Sequence, residues 1–466
     1  MISTLCDKWI KQSESSRYMH IEFLLNVFNE AEENDSIIWN GTRHSYRSLI
    51  DCISGSQLLI DKYKIEPGAV VALVGDFSPS SIALLLALIE NLCIVVPLKY
   101  KWSDNYTKQI EIAQVDNVFR VDENDVVSFE HIPNNSNNRH YDVIRDRKHP
   151  GLVLFTSGTS GQPKAAVHDV VALLEKFKAN KTALRTLNFL FFDHWGGLNT
   201  LFHILSSGGT VIATKKRTPD DVCELINKYK IELLPASPTF LNLLLLGDAH
   251  KKWDLSSLRI ISYGTEPMPQ STLQKLRHTF PSVKLLQTYG LIELGVMRSQ
   301  SESNESLWVK LGGEGYETRV VDGMLEVKAR SAMLGYINSK SPFTDDGWFR
   351  TGDMVLQKGD YIKILGRESD IINVGGEKVY PQEIENVIQE LDNVAEVVVY
   401  GEKNSITGNI VCAKVRLLKQ EDTKEFRYRL RKRCNKYLSR YMVPVKITIG
   451  DTPFVTERFK KIRKWS

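Results

Sequence analysis

Residues 156–168 read TSGTSGQPKAAVH, and this stretch decides how the rest of the chain is interpreted. It follows the apolar run GLVLF at 151–155, which predicts a buried strand, and we expect a helix to follow the loop. Glycine lets successive backbone N–H groups converge on one anion, while hydroxyls and a lysine add donors and charge. The stretch therefore predicts a polyphosphate-binding loop formed by Thr156, Ser157, Gly158, Thr159, Ser160, Gly161 and Lys164.

This loop differs from the P-loop of kinases and GTPases. In that motif a Ser or Thr follows the lysine and reaches magnesium. Here Pro163 precedes Lys164 and Ala165 follows it. The alternative interpretation, a flexible Gly/Ser surface loop, stays open at the level of composition alone.

The bulk composition restricts the class of protein. A chain of 466 residues predicts two or three domains, and 42% hydrophobic with 25% charged residues is typical of a globular protein. The net charge of +4 does not favour nucleic acid as a partner. Six scattered cysteines without a CxxC pair favour reduced thiols in the cytosol over a zinc site. The N-terminus lacks an apolar signal core, and the apolar stretch 82–98 is interrupted by Glu90 and Asn91, so no transmembrane segment is expected.

Strand-like and helix-like runs alternate through most of the chain, which predicts an α/β fold with a largely parallel sheet in the first half. From about Trp308 shorter strands separated by glycine turns predict a small β subdomain. After Gly366 two helical and three strand patterns predict a compact α+β unit. We therefore predict a large N-terminal domain of residues 1–367 and a small C-terminal domain of residues 368–466.

Several motifs in one order resemble the adenylate-forming superfamily, which includes acyl- and aryl-CoA ligases, adenylation domains of peptide synthetases, and luciferases. Besides the phosphate loop, they are YGLIE at 289–293, GWFRTGD at 347–353, and Gly366-Arg367. The resemblance covers nearly the whole chain. It implies that the N-terminal domain is an AMP-binding adenylation domain and that the C-terminal domain is mobile.

The resemblance implies a reaction in two halves. A carboxylate attacks ATP to give an acyl-adenylate and pyrophosphate, and a thiol then displaces AMP. ATP, magnesium, and CoA or a carrier-protein phosphopantetheine are the implied cofactors, with Glu293 as the metal ligand. Thr156, Lys164, Glu293 and Lys460 are the implied catalytic residues. Besides the phosphate loop, the implied nucleotide-binding residues are Gly264, Thr265, Glu266, Pro267, Tyr289, Gly290, Asp353 and Arg367.

The C-terminal part carries the remaining implied roles. Lys460, with Lys461 as the alternative, would bridge the carboxylate and the α-phosphate. Ser369 matches the family's hinge, about which the C-terminal domain would rotate between the half-reactions. Three residues would leave room for a pantetheine arm, although the same stretch also fits a simple hairpin turn: Gly375, Gly376 and Glu377.

The stretch Phe192-Asp193-His194-Trp195-Gly196-Gly197-Leu198 lies where the family builds its acid pocket. His194, Trp195 and Gly197 resemble the pocket of acyl- and aryl-CoA ligases, whereas Asp193 could mimic the aspartate of amino-acid-activating members. A fatty or aryl acid is favoured over an amino acid. Cations on the predicted helix 426–440, including Arg429 and Arg433, are either a solvated face or a landing surface for CoA or an acidic carrier protein.

Three positions depart from the family's pattern. Ile292 stands where Thr or Ser is usual, Phe459 replaces a glycine before Lys460, and Ser369 is a less common hinge residue. We predict an ATP-dependent acid–thiol ligase that acts on small-molecule acids. The alternatives are an amino-acid adenylating enzyme that loads a carrier protein, and a non-catalytic protein that binds nucleotide.

Overall fold

The computed structural model describes residues 20–99, 106–134, 136–157, 162–179 and 182–454. These residues divide into two compact units. The first comprises the described residues of Met1–Lys215 with Ile292–Gly295 and Arg330–Ser341, and the second comprises those of Lys216–Leu291, Val296–Ala329 and Pro342–Ser466.

Most helices of the first unit begin at side-chain caps. Ser78 accepts a hydrogen bond from the Ser81 N–H, and Pro79 occupies the first turn, where its missing N–H costs nothing. That helix is buried nearly all round, which explains its almost wholly apolar sequence. The α-helices of this unit are α1 (Glu22–Glu30), α2 (Tyr46–Lys62), α3 (Pro79–Glu90), α4 (Tyr106–Ile112), α5 (Arg139–Arg147), α6 (Val170–Leu174) and α7 (Trp195–Leu205).

Two sets of strands form the sheets of the first unit. The strands are β1 (Asp35–Trp39), β2 (Thr42–Ser45), β3 (Val70–Gly75), β4 (Ile94–Lys99), β5 (Asn117–Val121), β6 (Val127–His131), β7 (Gly151–Ser157), β8 (Pro163–Asp169), β9 (Arg185–Leu187) and β10 (Thr210–Ile212). One sheet has the order β8-β7-β4-β3-β5-β6, with the short strand Gly335–Tyr336 beside β8. Its central pairs are parallel. The other set has the order β9-β10-β1-β2.

The helix predicted directly after the phosphate loop is absent, and that prediction was wrong. Residues 163–169 form β8, which pairs antiparallel with β7. Ala165 and Val167 lie in the core of this sheet, and helix α6 begins only at Val170. Burial against the sheet overrides the helix propensity of the two alanines.

The second unit contains the helices α8 (Pro219–Tyr229), α9 (Pro238–Leu246), α10 (Gln270–Thr279), α11 (Pro381–Gln389) and α12 (Thr423–Tyr437). Strand numbering continues with β11 (Leu233–Ala236), β12 (Ile260–Tyr263), β13 (Lys284–Gln287), β14 (Tyr289–Leu291), β15 (Gly295–Ser301), β16 (Val309–Gly312), β17 (Tyr316–Val321), β18 (Met324–Ala329), β19 (Gly335–Tyr336, in the first unit), β20 (Phe349–Lys358), β21 (Tyr361–Arg367), β22 (Ile372–Val374), β23 (Glu377–Val379), β24 (Val394–Asn404), β25 (Gly408–Leu417) and β26 (Lys446–Ile449).

The second unit contains several groups of strands in addition to the two-stranded sheet of β22 and β23. Strands β11, β12 and β13 are parallel. The β-rich part has the order β14-β15-β16-β21-β20-β18-β17, and its pairs with a described register are antiparallel. In the C-terminal part, β24, β25 and β26 share one core with α11 and α12. The predicted α/β fold with a β subdomain and a C-terminal α+β part is therefore confirmed.

In the described part of the chain, no helix combines the length and the apolar character that crossing a bilayer requires.

Candidate active site

The described ends of the predicted phosphate loop lie on β7 and β8, which pair antiparallel in the first unit. Thr156 on β7 is opposite Lys164 on β8, and both residues are half-buried. The Asn338 side chain fixes the β8 edge, because its Nδ2 donates to the Pro163 carbonyl at 2.9 Å and its Oδ1 accepts from the Ala165 N–H at 3.1 Å. Four residues of the predicted loop lie outside the described residues: Gly158, Thr159, Ser160 and Gly161.

Tyr336 links two of the predicted catalytic residues. Its hydroxyl donates to Glu293 Oε1 at 2.5 Å, and the Lys164 Nζ lies 5.4 Å from the centroid of its ring. β19, which carries Tyr336, pairs with β8 beside Ala166. The strand pairing therefore brings a lysine, an aromatic ring and a carboxylate together, although the lysine is more than a hundred residues away from the other two in sequence.

Glu293 lies in a turn whose backbone is also fixed. The Met333 N–H donates to the Glu293 carbonyl at 2.8 Å, and Ser331 Oγ donates to the Leu294 carbonyl at 2.7 Å. Across the described residues, no group of three or more His, Cys, Asp or Glu side chains could hold a metal ion. A lone half-buried carboxylate fits magnesium that arrives with a nucleotide, since protein sites commonly give this ion one or two carboxylates and leave the rest to phosphates and water.

Three predicted nucleotide-binding residues form one hydrogen-bonded cluster in the second unit. The Tyr289 hydroxyl donates to Asp353 Oδ2 at 2.5 Å. Arg367 Nε lies 2.8 Å from Asp353 Oδ1, and Arg367 Nη1 donates to the Thr351 carbonyl at 2.6 Å. Asp353 on β20 is directly opposite Arg367 on β21. Gly290 follows Tyr289 on β14.

The electrostatics of this cluster follow from its burial. Tyr289 and Asp353 are each only 6% exposed, whereas nearly half of the Arg367 side chain is exposed. Burial, followed by the negative charge of Asp353, raises the pKa of Tyr289 well above its ordinary value. Tyr289 therefore stays protonated and donates to the carboxylate across the physiological pH range.

The turn containing Gly264, Thr265, Glu266 and Pro267 follows β12 in the same unit. A Cβ at Gly264 would lie 2.5 Å from Thr288 Oγ1 and 2.7 Å from the Thr288 carbonyl oxygen, so only glycine fits there. Thr265 has a φ of 71°, and Glu266 Oε1 accepts from the Thr239 N–H at 2.7 Å in the first turn of α9. The turn is therefore fixed at both ends.

The predicted acid-pocket residues start helix α7. His194 is its N-cap, with Nδ1 accepting from the Gly196 N–H at 3.1 Å. Trp195 is 2% exposed. A Cβ at Gly197 would lie 2.2 Å from the Phe191 carbonyl oxygen, so this glycine permits a close backbone approach. These contacts give each residue a local structural role, and their function in an acid pocket stays a prediction.

The predicted hinge and thiol-channel residues lie in exposed turns. Ser369 is in the 3₁₀ turn Glu368–Asp370. Gly375 and Gly376 connect β22 to β23 with φ values of 59° and 93°, which glycine adopts without strain. Glu377, the first residue of β23, is exposed. A Cβ at either glycine would meet no atom within 4 Å, so the hairpin interpretation holds and room for a ligand remains on this face. Lys460 lies outside the described residues.

The basic helix α12 contains two kinds of cation. Arg429 pairs with Glu421 at 2.8 Å, and Arg433 pairs with Glu390 and also donates to the Val387 carbonyl. By contrast, Arg427 and Lys432 are exposed and form no ion pair with any residue that the structure describes. The two arginines singled out from the sequence are therefore occupied within their own subdomain.

Three residues of these clusters were missed by the sequence analysis: Tyr336, Asn338 and Thr351. The sequence GYIN at 335–338 places an aromatic and an amide side chain after a glycine. This pattern is a sequence signal by which Tyr336 and Asn338 could have been found. Thr351 lies inside the GWFRTGD motif but acts through its backbone carbonyl and the hydroxyl that accepts from the Asp353 N–H.

The chain belongs to the AMP-binding enzyme family. The family model matches residues 27–343, and the model of the AMP-binding enzyme C-terminal domain matches residues 383–460. The predicted membership in the adenylate-forming superfamily is confirmed.

Two relatives show the range of similarity. Indoleacetate–CoA ligase from Aromatoleum aromaticum is 31% identical over 296 residues, which is 57% of this chain and 57% of that protein. VraA from Staphylococcus epidermidis, assigned as a long chain fatty acid–CoA ligase, is 24% identical over 461 residues, covering 95% of this chain and 97% of VraA. Both relatives are named as CoA ligases, and these names agree with the predicted class of enzyme; the chain spans just over half the length of the first of them.

Solved structures share the fold. The crystal structure of anthranilate CoA ligase AuaEII with anthranoyl-AMP matches with a TM-score of 0.81 over 97% of both chains, at 17% identity. The o-succinylbenzoate CoA synthetase of Bacillus subtilis matches with a TM-score of 0.76 at 22% identity, over 95% of this chain and 96% of that one.

Proposed function

We propose that this protein activates a carboxylic acid with ATP and transfers the acyl group to a thiol. The observation that carries the proposal is the Tyr289–Asp353–Arg367 cluster. The three residues come from separate motifs, 64 and 14 positions apart in the sequence. Tyr289 and Arg367 both contact the Asp353 carboxylate, which could also accept hydrogen bonds from ribose hydroxyls. Family membership supports the same conclusion.

In the proposed first half-reaction, a carboxylate oxygen of the acid bonds to the α-phosphorus of ATP. The bond from that phosphorus to the bridging oxygen breaks, and pyrophosphate leaves. Because anions approach one another, this step needs fixed cations and donors. We propose that Lys164 and the loop starting at Thr156 bind phosphates, and that Glu293 binds magnesium, which would offset phosphate charge when bound.

In the proposed second half-reaction, the thiol sulfur bonds to the acyl carbonyl carbon after losing its proton. The bond from that carbon to the AMP oxygen breaks, and AMP leaves. We propose that Lys460 serves the first half-reaction only, and that the described stretch Gly375-Gly376-Glu377 faces the pantetheine in the second. The C-terminal domain, with its boundary between 367 and 368, would rotate about Ser369. This rotation would withdraw Lys460 from the active site and bring the glycine stretch to it.

The adenosine part of the nucleotide has its own proposed residues. Asp353, with Arg367, would bind the ribose hydroxyls, and Tyr289 would pack on the adenine. The turn at Gly264 would line the other face of the base with backbone, because no side chain can stand at that position.

The proposed substrate is a fatty or aryl acid, and CoA is the proposed acceptor. Relatives named for indoleacetate, 2-succinylbenzoate and 4-coumarate support an aryl acid, whereas VraA supports a fatty acid. We propose a cytosolic enzyme, which suits the cysteines at 52, 93, 223, 412 and 434, since all of these are free thiols.

The decisive experiment is acid-dependent ATP–pyrophosphate exchange without a thiol, over fatty, aryl, short hydroxy and amino acids. We expect exchange with one class of carboxylic acid. Asp353→Asn should abolish most exchange, because it removes the charge that Arg367 faces. Asp360→Asn is the matched control, since Asp360 lies in the turn between the same two strands and, within the described part of the chain, forms its ion pair with Lys310 at the surface. Exchange with amino acids alone, or an unaffected Asp353→Asn variant, would contradict the proposal.

The sequence analysis singled out Arg429 and Arg433 as a candidate acceptor surface on α12, but a different pair of residues tests that surface better. Reversing Arg429 would break its contact with Glu421, so the result would mix folding with binding. Arg427→Glu with Lys432→Glu changes exposed charges only. If α12 binds an anionic acceptor, this double variant should raise the acceptor's KM, and more strongly at low salt. An unchanged KM at all salt concentrations would show a solvated face.

A further inference from the structure

Glu396 is a buried carboxylate that the family motifs do not account for. It lies on β24, is 6% exposed, and stands directly opposite Arg416 on β25. Arg416 donates to Glu396 Oε1 through Nε at 2.9 Å and also through Nη2. The two donors approach one oxygen, so the carboxylate is held in one orientation and its other oxygen is directed elsewhere.

The second oxygen of Glu396 holds the end of the described chain. Oε2 accepts a hydrogen bond from the Phe454 N–H at 2.7 Å. The Phe454 ring is fully buried, and Lys414 Nζ lies 5.1 Å from its centroid. Phe454 is therefore anchored at its backbone and at its ring. In the sequence, Lys460 follows Phe454 by six residues.

The strand that carries Glu396 is itself attached to helix α9. Asn242 Nδ2 donates to the Ala395 carbonyl at 3.4 Å, and Thr272 Oγ1 donates to Asn242 Oδ1 at 3.3 Å. Asn242 is 8% exposed and Thr272 is fully buried. A continuous set of buried contacts therefore runs from α10 through α9 to β24 and on to Phe454.

A small open cleft lies along these contacts, within the second unit. One wall contains Glu266 and Pro267 of the proposed adenine turn, and the other contains Glu396, Val397 and Phe454. The anchor of the C-terminal segment therefore faces the same cleft as a turn proposed to bind nucleotide.

We propose that Glu396 is a positioning residue for adenylation: it fixes Phe454, six residues before Lys460 in the sequence, beside the nucleotide turn. The inference rests on the proposed function, since it needs Lys460 to act in the first half-reaction. It adds a residue that touches neither nucleotide nor acid and that acts through the chain it holds.

The test compares the two half-reactions in Glu396→Gln and in a matched control. Glutamine keeps the shape but removes the charge that orients the side chain against Arg416. We expect the kcat of acid-dependent ATP–pyrophosphate exchange to fall by roughly tenfold. The KM for ATP, and thioester formation from supplied acyl-adenylate, should change by less than about twofold. Glu385→Gln is the control, because Glu385 is 1% exposed and accepts the Val399 N–H at 2.9 Å in the same subdomain.

A second measurement does not depend on activity. Hydrogen exchange followed by mass spectrometry on the peptide containing Phe454 should speed up by roughly tenfold in Glu396→Gln but not in Glu385→Gln. Arg416→Lys, which keeps the charge but loses the two-nitrogen contact, should shift both measurements in the same direction by a smaller amount.

The outcomes separate the two proposals. Absence of exchange in the wild type with every acid would refute the proposed function. Exchange in the wild type with equal loss of both half-reactions in Glu396→Gln, or with no loss in either, would refute the positioning role and leave the function standing. Faster hydrogen exchange at Phe454 without slower adenylation would likewise overturn it.

Discussion

Acidification should destabilise this protein through one buried histidine. His168 lies on β8, after the phosphate loop, and is 1% exposed. Burial lowers the pKa of His168 by more than contact with the backbone of Ser331 and Ile292 raises it. Burial lowers the pKa of His168 from 6.5 to about 4. The imidazole is therefore neutral in the folded protein at any pH above that value.

The sign and the size of the effect follow from this shift. Between the two pKa values the unfolded chain binds a proton at residue 168 that the folded chain does not, so stability falls as the pH falls. From pH 7 to pH 5 this one group should cost about 2 kcal/mol of unfolding free energy. His168→Leu should remove that share of the pH dependence.

The assay is urea unfolding at pH 7 and pH 5, followed by tryptophan fluorescence, for the wild type and the variant. Two other histidines with lowered pKa values, His20 and His140, are common to both proteins and cancel in the comparison. The exposed His278→Asn variant is the control and should behave like the wild type. If His168→Leu keeps the whole difference between pH 7 and pH 5, the buried neutral imidazole is not its cause.

Two further changes test the local geometry. Gly197→Ala would place a Cβ 2.2 Å from the Phe191 carbonyl oxygen, so we expect a loss of about 1–3 kcal/mol in thermal unfolding. The control, Gly55→Ala, has open space in a helix and should stabilise by about 0.5–1 kcal/mol; equal effects would contradict the close approach. Tyr289→Phe removes one donor to Asp353 Oδ2 and should cost about 1.5–3 kcal/mol of stability. It should also weaken ATP binding in titration calorimetry, because Asp353 loses a donor that orients it. An unchanged ATP affinity would show that the Tyr289 hydroxyl does not position Asp353 for the nucleotide.

The motif residues of the second unit were predictable because their chemistry is local. Tyr289 lies in YGLIE, Asp353 lies in TGD, and Arg367 follows a glycine. In each case the neighbouring residues indicate both the local turn and the role of the side chain. Their convergence needed only the pairing of β20 with β21, which places Asp353 opposite Arg367. The helices and strands of the C-terminal part were also predictable, since α11 and α12 show the apolar periodicity of half-buried helices.

The strand after the phosphate loop was not predictable by the same means. Ala165, Ala166 and Val167 are compatible with a helix, and their conformation is decided by burial between β7 and the distant strand Gly335–Tyr336. The contact of Tyr336 with Glu293 depends on the same pairing. Local propensity contains no information about a partner that lies more than 150 residues away.

The sequence by itself therefore determined the family, the α/β fold, and the residues whose neighbours in the chain define their chemistry. Only the tertiary structure decided that the phosphate loop joins two antiparallel strands, that Arg429 and Arg433 are bound within their own subdomain, and that Glu396 holds Phe454. The physical reason is that a hydrogen bond or an ion pair requires two groups to meet within about 3 Å. Strand register and helix packing set that distance. Neither can be predicted from the sequence around only one of the two groups.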